Sequence, residues 1–321
     1  MLTGPGSLAA PAPRLTVILP ARNPHPARWA RVFAGLAGQT LAHAEWEIII
    51  VDNASDQPCD PPPGGGALPG WRRVVERELG LTPARLRGLA EARGEVVVFV
   101  DDDNVLDPGH LAAVRGHFSA NTRLGAAGGP VAPEFAIPPP DWTREFHGLL
   151  ALCDHGPFPQ LARGGADASW PDFAPVGAGL CVRREAVVLY TRALAQNPAR
   201  RHLDRAGRSL ASGGDNDLVY TLLQGGWDVG YFPELRVTHL IPPGRLEAGY
   251  LSRLNQGIQR TWVQVLDLHG QRPWPPITRW TVPVRAARAW FRVGAWRSPA
   301  HGVRWRGLVG RLGGQADLNH A

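Results

Sequence analysis

Residues 100–104 read Val-Asp-Asp-Asp-Asn, directly after the apolar run Val96–Val100. Carboxylates that converge where a buried strand runs out repel one another. A divalent cation resolves that conflict, and magnesium or manganese takes oxygen ligands of this type. The same triplet could also be a solvated acidic turn that caps the next helix. Asp52 closes a second apolar run, Ile48–Val51, and its setting, Asp-Asn-Ala-Ser, also has the chemistry of an ordinary turn. All 34 basic side chains are arginine, and there is no lysine. Lysine-dependent chemistry, whether a Schiff base or a phosphate-binding P-loop, is therefore excluded.

The elements that must position these groups follow from hydrophobic patterning. Leu15–Pro20, Trp46–Asp52, Trp71–Arg77 and Glu95–Asp101 read as strands. Pro26–Gly38 and the stretch from Thr82 to Gly94 read as helices, each with proline in its first turn. That rhythm predicts an α/β domain with a mostly parallel sheet flanked by helices. Such sheets bind ligands at the carboxyl ends of their strands, where Pro20, Asp52 and Asp101 fall. Pro58–Gly70, with five prolines and four glycines, reads as a loop. Further helices are expected over Pro108–Phe118, Asp215–Gln224 and Arg245–Leu268, and a strand over Pro175–Val182. Pro138–Gly165 is rich in proline and glycine and is expected to wander over the surface.

The 321 residues are 44% hydrophobic and 19% charged, the balance of an ordinary globular protein. No apolar run is long enough for a membrane-spanning helix. Residues 1–13 read as a disordered leader without the features of a signal peptide. Cys59, Cys153 and Cys181 are too few and too scattered for a disulfide framework, which fits a cytoplasmic location. A net charge of +6 favours anionic partners.

The chain resembles family 2 glycosyltransferases of the GT-A fold. The resemblance rests on Val-Ile-Leu-Pro-Ala-Arg-Asn (17–23), Glu-Ile-Ile-Ile-Val-Asp-Asn-Ala-Ser (47–55), Ala84–Ala92 before Gly94, the Asp101-x-Asp103 pair, and Gly-Gly-Asp-Asn-Asp-Leu (213–218), in that order over about residues 14–268. It implies metal-dependent, inverting transfer of a sugar from a nucleotide-sugar, UDP as its carrier, to an acceptor hydroxyl in polysaccharide or glycoconjugate synthesis. By the same resemblance Pro20, Ala21 and Asn23 line the nucleoside pocket, Asp52 bonds the base, and Arg85 lies near the nucleotide. Asp101 meets the ribose or the metal's waters, and Asp103 holds manganese or magnesium. His239 reaches the metal or the diphosphate, with Arg245 beside it. The acceptor is deprotonated in this family by a carboxylate of a Glu-Asp motif. Here that place is Gly214-Asp215, so Asp215 must serve alone with Asp217 in reserve. Gly177-Ala178-Gly179 would keep backbone close to the donor sugar or acceptor.

Residues 269–321 form a basic, tryptophan-rich C-terminal extension, expected to be helical. Arg285, Arg288 and Arg292 share one helical face, and Ala286, Trp290 and Val293 another. Such a helix can lie on an anionic membrane with tryptophan at the interface, which would suit a lipid-linked acceptor and a peripheral place on the inner face of the plasma membrane. It can equally pack on the domain and expose only its basic side. Two other readings compete. A catalytically inactive nucleotide-binding relative would explain the absent acid at Gly214. A nucleic-acid-binding protein would explain the arginines but not the strand-end aspartates, so no nucleic-acid partner is expected.

Overall fold

A computed structural model describes residues 13–63, 68–207 and 209–318. The expected leader, apart from residue 13, lies outside the described residues. The chain opens as β1 (Leu15–Ala21), α1 (Pro26–Ala37), β2 (Trp46–Asp52), β3 (Trp71–Val75), α2 (Leu81–Glu91) and β4 (Val96–Phe99). It continues with β5 (Asn104–Leu106), α3 (His110–Ala120), β6 (Leu124–Gly128), β7 (Val131–Phe135) and β8 (Gln160–Ala162). Then come β9 (Cys181–Arg183), α4 (Arg184–Gln196), α5 (Gly214–Gln224), β10 (Asp228–Tyr231) and β11 (Val237–Ile241). Three helices end the chain: α6 (Ala248–Leu268), α7 (Val282–Val293) and α8 (Pro299–Asp317).

One sheet has the order β3-β2-β1-β4-β9-β6-β10-β8. Strands β3, β2, β1 and β4 are parallel, whereas β9 runs antiparallel to both β4 and β6. Alternate side chains divide between its faces. Val17, Leu19, Ile48, Ile50 and Val98 meet Phe33, Leu36 and Leu111 on one face. Ile18, Ile49, Val51, Val97 and Phe99 meet Tyr190, Leu218, Leu222 and Val265 on the other. Burial on both faces explains why these strands read as continuous apolar runs. The α/β architecture is the expected one, and the first six elements come in the expected order.

Two local expectations are corrected. The segment after Pro138 does not wander: Asp141–Leu150 forms a 3-10 run whose Phe146 and Leu150 pack with Leu251 and Leu254 of α6 and Val303 of α8. Residues 175–180 are not strand either, and only Cys181–Arg183 joins the sheet. A small second sheet, β5-β11-β7, pairs His239 with Asn104 and so brings β11 beside the acidic triplet.

Helix α8 lies along α6 through Gly307, Gly310 and Gly314. A Cβ on Gly310 would come within 2.1 Å of the Gln256 carbonyl oxygen, so only glycine allows this approach. Helix α7 buries only Ala289 fully and receives the Trp305 indole on the Ala286 carbonyl at 2.9 Å. Its Ala286 and Trp290 are half-buried, and the Trp290 ring packs against the exposed Phe291 and Trp296. The exposed apolar groups are Trp280, Val284, Phe291 and Trp296. Among the described residues no helix is long and apolar enough to cross a membrane.

Candidate active site

The carboxyl ends of β1, β2 and β4 open into a cleft of about 380 Å³. Pro20, Ala21 and Arg22 line it from the end of β1, Asn53 from β2, and Asp101, Asp102 and Asp103 from β4. Arg85 enters from α2, Asp215 from α5, and His239 and Arg245 from the small sheet and the turn after it. Gly177, Ala178, Asp204 and Arg205 complete the opposite wall.

Two residues expected at the nucleoside do not line this cleft. Asp52 accepts the Ser55 amide at 3.0 Å and the Cys59 amide at 3.4 Å. Burial pushes its pKa up, but these donors outweigh that and hold it below the usual carboxylate value. Asn23, in the left-handed region at φ 49°, exchanges hydrogen bonds with Asp56 at 2.9 Å in both directions. Both residues build the loop after β2. Asn53 does the positioning at the cleft: its amide donates to the Glu76 and Glu78 carbonyls, and its oxygen accepts the Gly80 amide at 2.9 Å.

At the end of β4 the three aspartates differ. Arg245 donates to Asp103 Oδ2 at 2.7 Å, and His239 Nε2 lies 3.4 Å from its Oδ1. Burial opposes ionisation there, but the His239 contact and the Arg245 charge prevail and lower its pKa to about 2. Arg245 also donates to His239 Nε2 at 2.9 Å, while Nδ1 meets the Leu150 carbonyl at 2.9 Å. Burial and the charges of Asp103 and Asp101 raise Asp102 to about 6. Asp101 is raised too, first by burial, with Arg85 opposing.

Across the cleft stand Asp204, Arg85 and Asp215. Arg85 Nη1 lies 3.7 Å from Asp204 Oδ2, and the guanidinium sits over the Phe99 ring at 5.1 Å. Its charge is shared among Asp204, Asp101 and Asp215. At Gly177 a Cβ would lie 2.6 Å from Asp215 Oδ2 and 3.1 Å from Arg85 Nη2. Gly179 is in the left-handed region at φ 74°, where glycine is unstrained. Asp217 is corrected as a reserve base. It is wholly buried, bonded to Arg200 at 2.7 Å and His269 at 2.9 Å, and does not line the cleft.

Asp204, Arg22 and Arg205 were not anticipated from sequence. Arg22 lies within a recognised stretch and could have been proposed from its place beside Pro20. Asp204 and Arg205 sit between a short 3-10 turn and α5, where no periodicity or motif signals them.

Among the described residues no three His, Cys, Asp or Glu side chains gather into a complete metal cage. The donor set nevertheless fits magnesium or manganese. Such ions are held by one or two carboxylates and complete their shell with water and substrate phosphates. Asp101 and Asp103, two carboxylates at one strand end lining the cleft, are the residues that would supply the oxygens.

Residues 16–165 match the model of the family described as Glycosyl transferase family 2. The fold is similar to that of the mannosyltransferase PcManGT from Pyrobaculum calidifontis, solved in complex with GDP-Man and Mn2+. The two share 18% identity with a TM-score of 0.55, over 98% of this chain and 90% of that one. It is also similar to GalNAc-T7, solved with UDP, GalNAc and Mn2+, at 16% identity and a TM-score of 0.53. There the match spans 80% of this chain and 48% of the other. No curated protein matches the sequence.

Proposed function

We propose that this glycosyltransferase, a GT-A protein whose family 2 domain spans residues 16–165, moves a sugar from a nucleoside-diphosphate donor to an acceptor hydroxyl with inversion and with the help of a divalent cation. The observation that carries the reading is the meeting of two groups in one cleft: Asp101 and Asp103 at a strand end, and Asp215 with Arg85 at the start of α5. The first suits a diphosphate with its cation. The second suits a hydroxyl that must lose a proton.

The nucleotide would lie along the ends of β1 and β2, against Pro20, Ala21 and Asn53. Asp103 and Asp101 would hold the cation, with His239 Nε2 in reach of the same group. A bound divalent cation neutralises the charge that develops on the departing diphosphate. Arg22, Arg205 and Arg245 add donors for phosphate oxygens, with arginine taking the place that lysine cannot fill here. Asp215 takes the proton from the acceptor hydroxyl. The acceptor's oxygen bonds to the anomeric carbon while the carbon–oxygen bond to phosphate breaks, and that electron pair leaves on the nucleoside diphosphate. Attack from the face opposite the leaving group inverts the centre. UDP is the carrier we favour, on the family resemblance alone.

A peripheral contact with an anionic membrane is supported by the surface of α7. Trp280, Val284, Phe291 and Trp296 are exposed beside the exposed Arg279, Arg285, Arg288, Arg292 and Arg297. Among the described residues only Arg279 of these five has an acidic side chain within ion-pair reach, Asp317 at 3.9 Å. An apolar stripe flanked by free cations suits lipid headgroups, and thus a lipid-linked acceptor for a polysaccharide or glycoconjugate.

The test is a thermal-shift screen of UDP-, GDP- and dTDP-sugars with and without manganese. A ligand bound only by the folded state raises apparent stability with ln(1 + [L]/Kd). A shift for one nucleotide class that needs manganese is expected. No shift with any of them rules the reading out.

A further inference from the structure

Gly214 leaves the start of α5 with one carboxylate, Asp215, yet the space beside Gly214 is filled. Asp204, from the segment that leads into α5, places its own carboxylate there. A Cβ on Gly214 would lie 2.6 Å from Asp204 Oδ2 and 2.9 Å from its Cγ. Asp204 is 4% exposed and lines the cleft. Its neighbours are few. Oδ1 accepts the Arg205 amide at 3.0 Å, Thr82 Oγ1 is 3.5 Å from Oδ2, and Arg85 Nη1 is 3.7 Å from it. Nothing in the transfer described above uses this buried acid, although burying a carboxylate is costly unless it is compensated.

Arg85 connects the two acids. One end of its guanidinium lies 3.7 Å from Asp204, and the other end and Asp215 Oδ2 both border the space that a Cβ on Gly177 would fill. The Arg85 Nε is buried without a partner, so the side chain is held by Asp204 and by the Phe99 ring. Removing Asp204 would leave a buried cation to be shared by Asp101 and Asp215 alone.

We propose that Asp204 is a positioning residue for sugar transfer, supplying from the preceding segment the second carboxylate that Gly214 lacks and holding Arg85 so that Asp215 faces the acceptor. This rests on Asp215 being the base that receives the acceptor proton. Asp204 makes and breaks no bond. It acts through Arg85.

The experiment moves the carboxylate from one strand of chain to the other. Wild type, Asp204→Gly, Gly214→Glu and the double variant are compared in hydrolysis of UDP-glucose, UDP-N-acetylglucosamine and GDP-mannose, where water takes the acceptor's place. UDP binding with manganese is measured by calorimetry on each. Asp204→Gly should lower kcat by about 10–100-fold with KM and UDP affinity nearly unchanged, as for an interaction made in the transition state. Gly214→Glu alone should also lose activity, because its side chain meets Asp204. The double variant should regain most of the loss, since the two sites share one space and their effects are non-additive. A double variant no better than Asp204→Gly overturns the proposal, as does Asp204→Gly with wild-type kcat. Should Asp204→Gly not fold, the isosteric Asp204→Asn decides: wild-type kcat overturns the proposal, and a lowered kcat with unchanged UDP binding supports it. Wild type that neither binds UDP with manganese nor hydrolyses any of the three donors overturns the donor reading itself, and the inference with it.

Discussion

The cleft has two acidic corners, and one buried carboxylate in each, Asp103 and Asp204, is shifted in opposite directions. At the end of β4, Asp103 meets Arg245 at 2.7 Å, and its pKa falls to about 2. At the start of α5, Asp204 is as deeply buried, but its arginine is 3.7 Å away and shared with two other acids, and its pKa rises to about 6. Burial pushes both upward. The difference lies in how close the cation is and how many carboxylates divide it. In one corner Asp103 keeps its negative charge, as a residue proposed to hold a cation must. In the other, Asp204 is raised because its single arginine is distant and divided.

The largest expected effect comes from breaking the first corner. Asp103→Ala should abolish manganese-dependent UDP binding and transfer together, leaving Arg245 and His239 without their anion. Tight UDP binding that still depends on manganese, seen by calorimetry, would show that the cation is held elsewhere. Breaking the second corner should separate binding from turnover. Asp215→Asn should keep UDP binding and lower kcat by about 10²–10⁴-fold, the usual worth of a positioned base. Equal loss of both functions would mean that the two corners are one.

The α7 surface lies outside this contrast and sharpens it, because changes there should leave both corners intact. Replacing Arg285, Arg288 and Arg292 by alanine should weaken co-sedimentation with anionic liposomes by roughly a hundredfold, at about 1 kcal/mol per basic residue. UDP binding should not change. An intact protein that stays in the supernatant at low salt would refute the membrane contact.

The smallest effect is on stability. The Asp204 proton is held more tightly in the folded protein than in the unfolded chain. Its contribution is therefore complete below the unfolded pKa near 4 and is lost as pH rises through about 6. Asp204→Asn should remove that slope, leaving the similar one from Asp102. Between pH 4 and pH 7 the wild-type melting temperature should fall relative to that of the variant, by roughly 2–4 °C. A constant difference between the two would show that Asp204 is ionised in both states.

Much was legible in the residues themselves. The apolar runs of β1, β2 and β4 are buried on both faces, so their pattern depends on burial alone and points to a parallel sheet without further context. Pro20, Asp101 and Asp103 sit at strand ends, and strand ends are local features. Asp215 was singled out by the family resemblance, at the place of a Glu-Asp motif, and not by helical periodicity. Tertiary structure decided the rest. Asp52 and Asn23 have residue types that suit a ligand or a turn, and only the folded loop shows their bonds going to Ser55, Cys59 and Asp56. Asp217 and Asp215 are two residues apart on α5, and their different surroundings followed from which side of the helix meets Arg200 and His269. That Trp305 of α8 docks on the Ala286 carbonyl of α7 is likewise something no pattern within α7 reveals. Asp204 reaches Gly214 from ten positions earlier in the chain through an irregular segment. Strand and helix periods arise from neighbours in sequence, whereas which carboxylates meet which arginine depends on contacts that exist only after the chain has closed on itself.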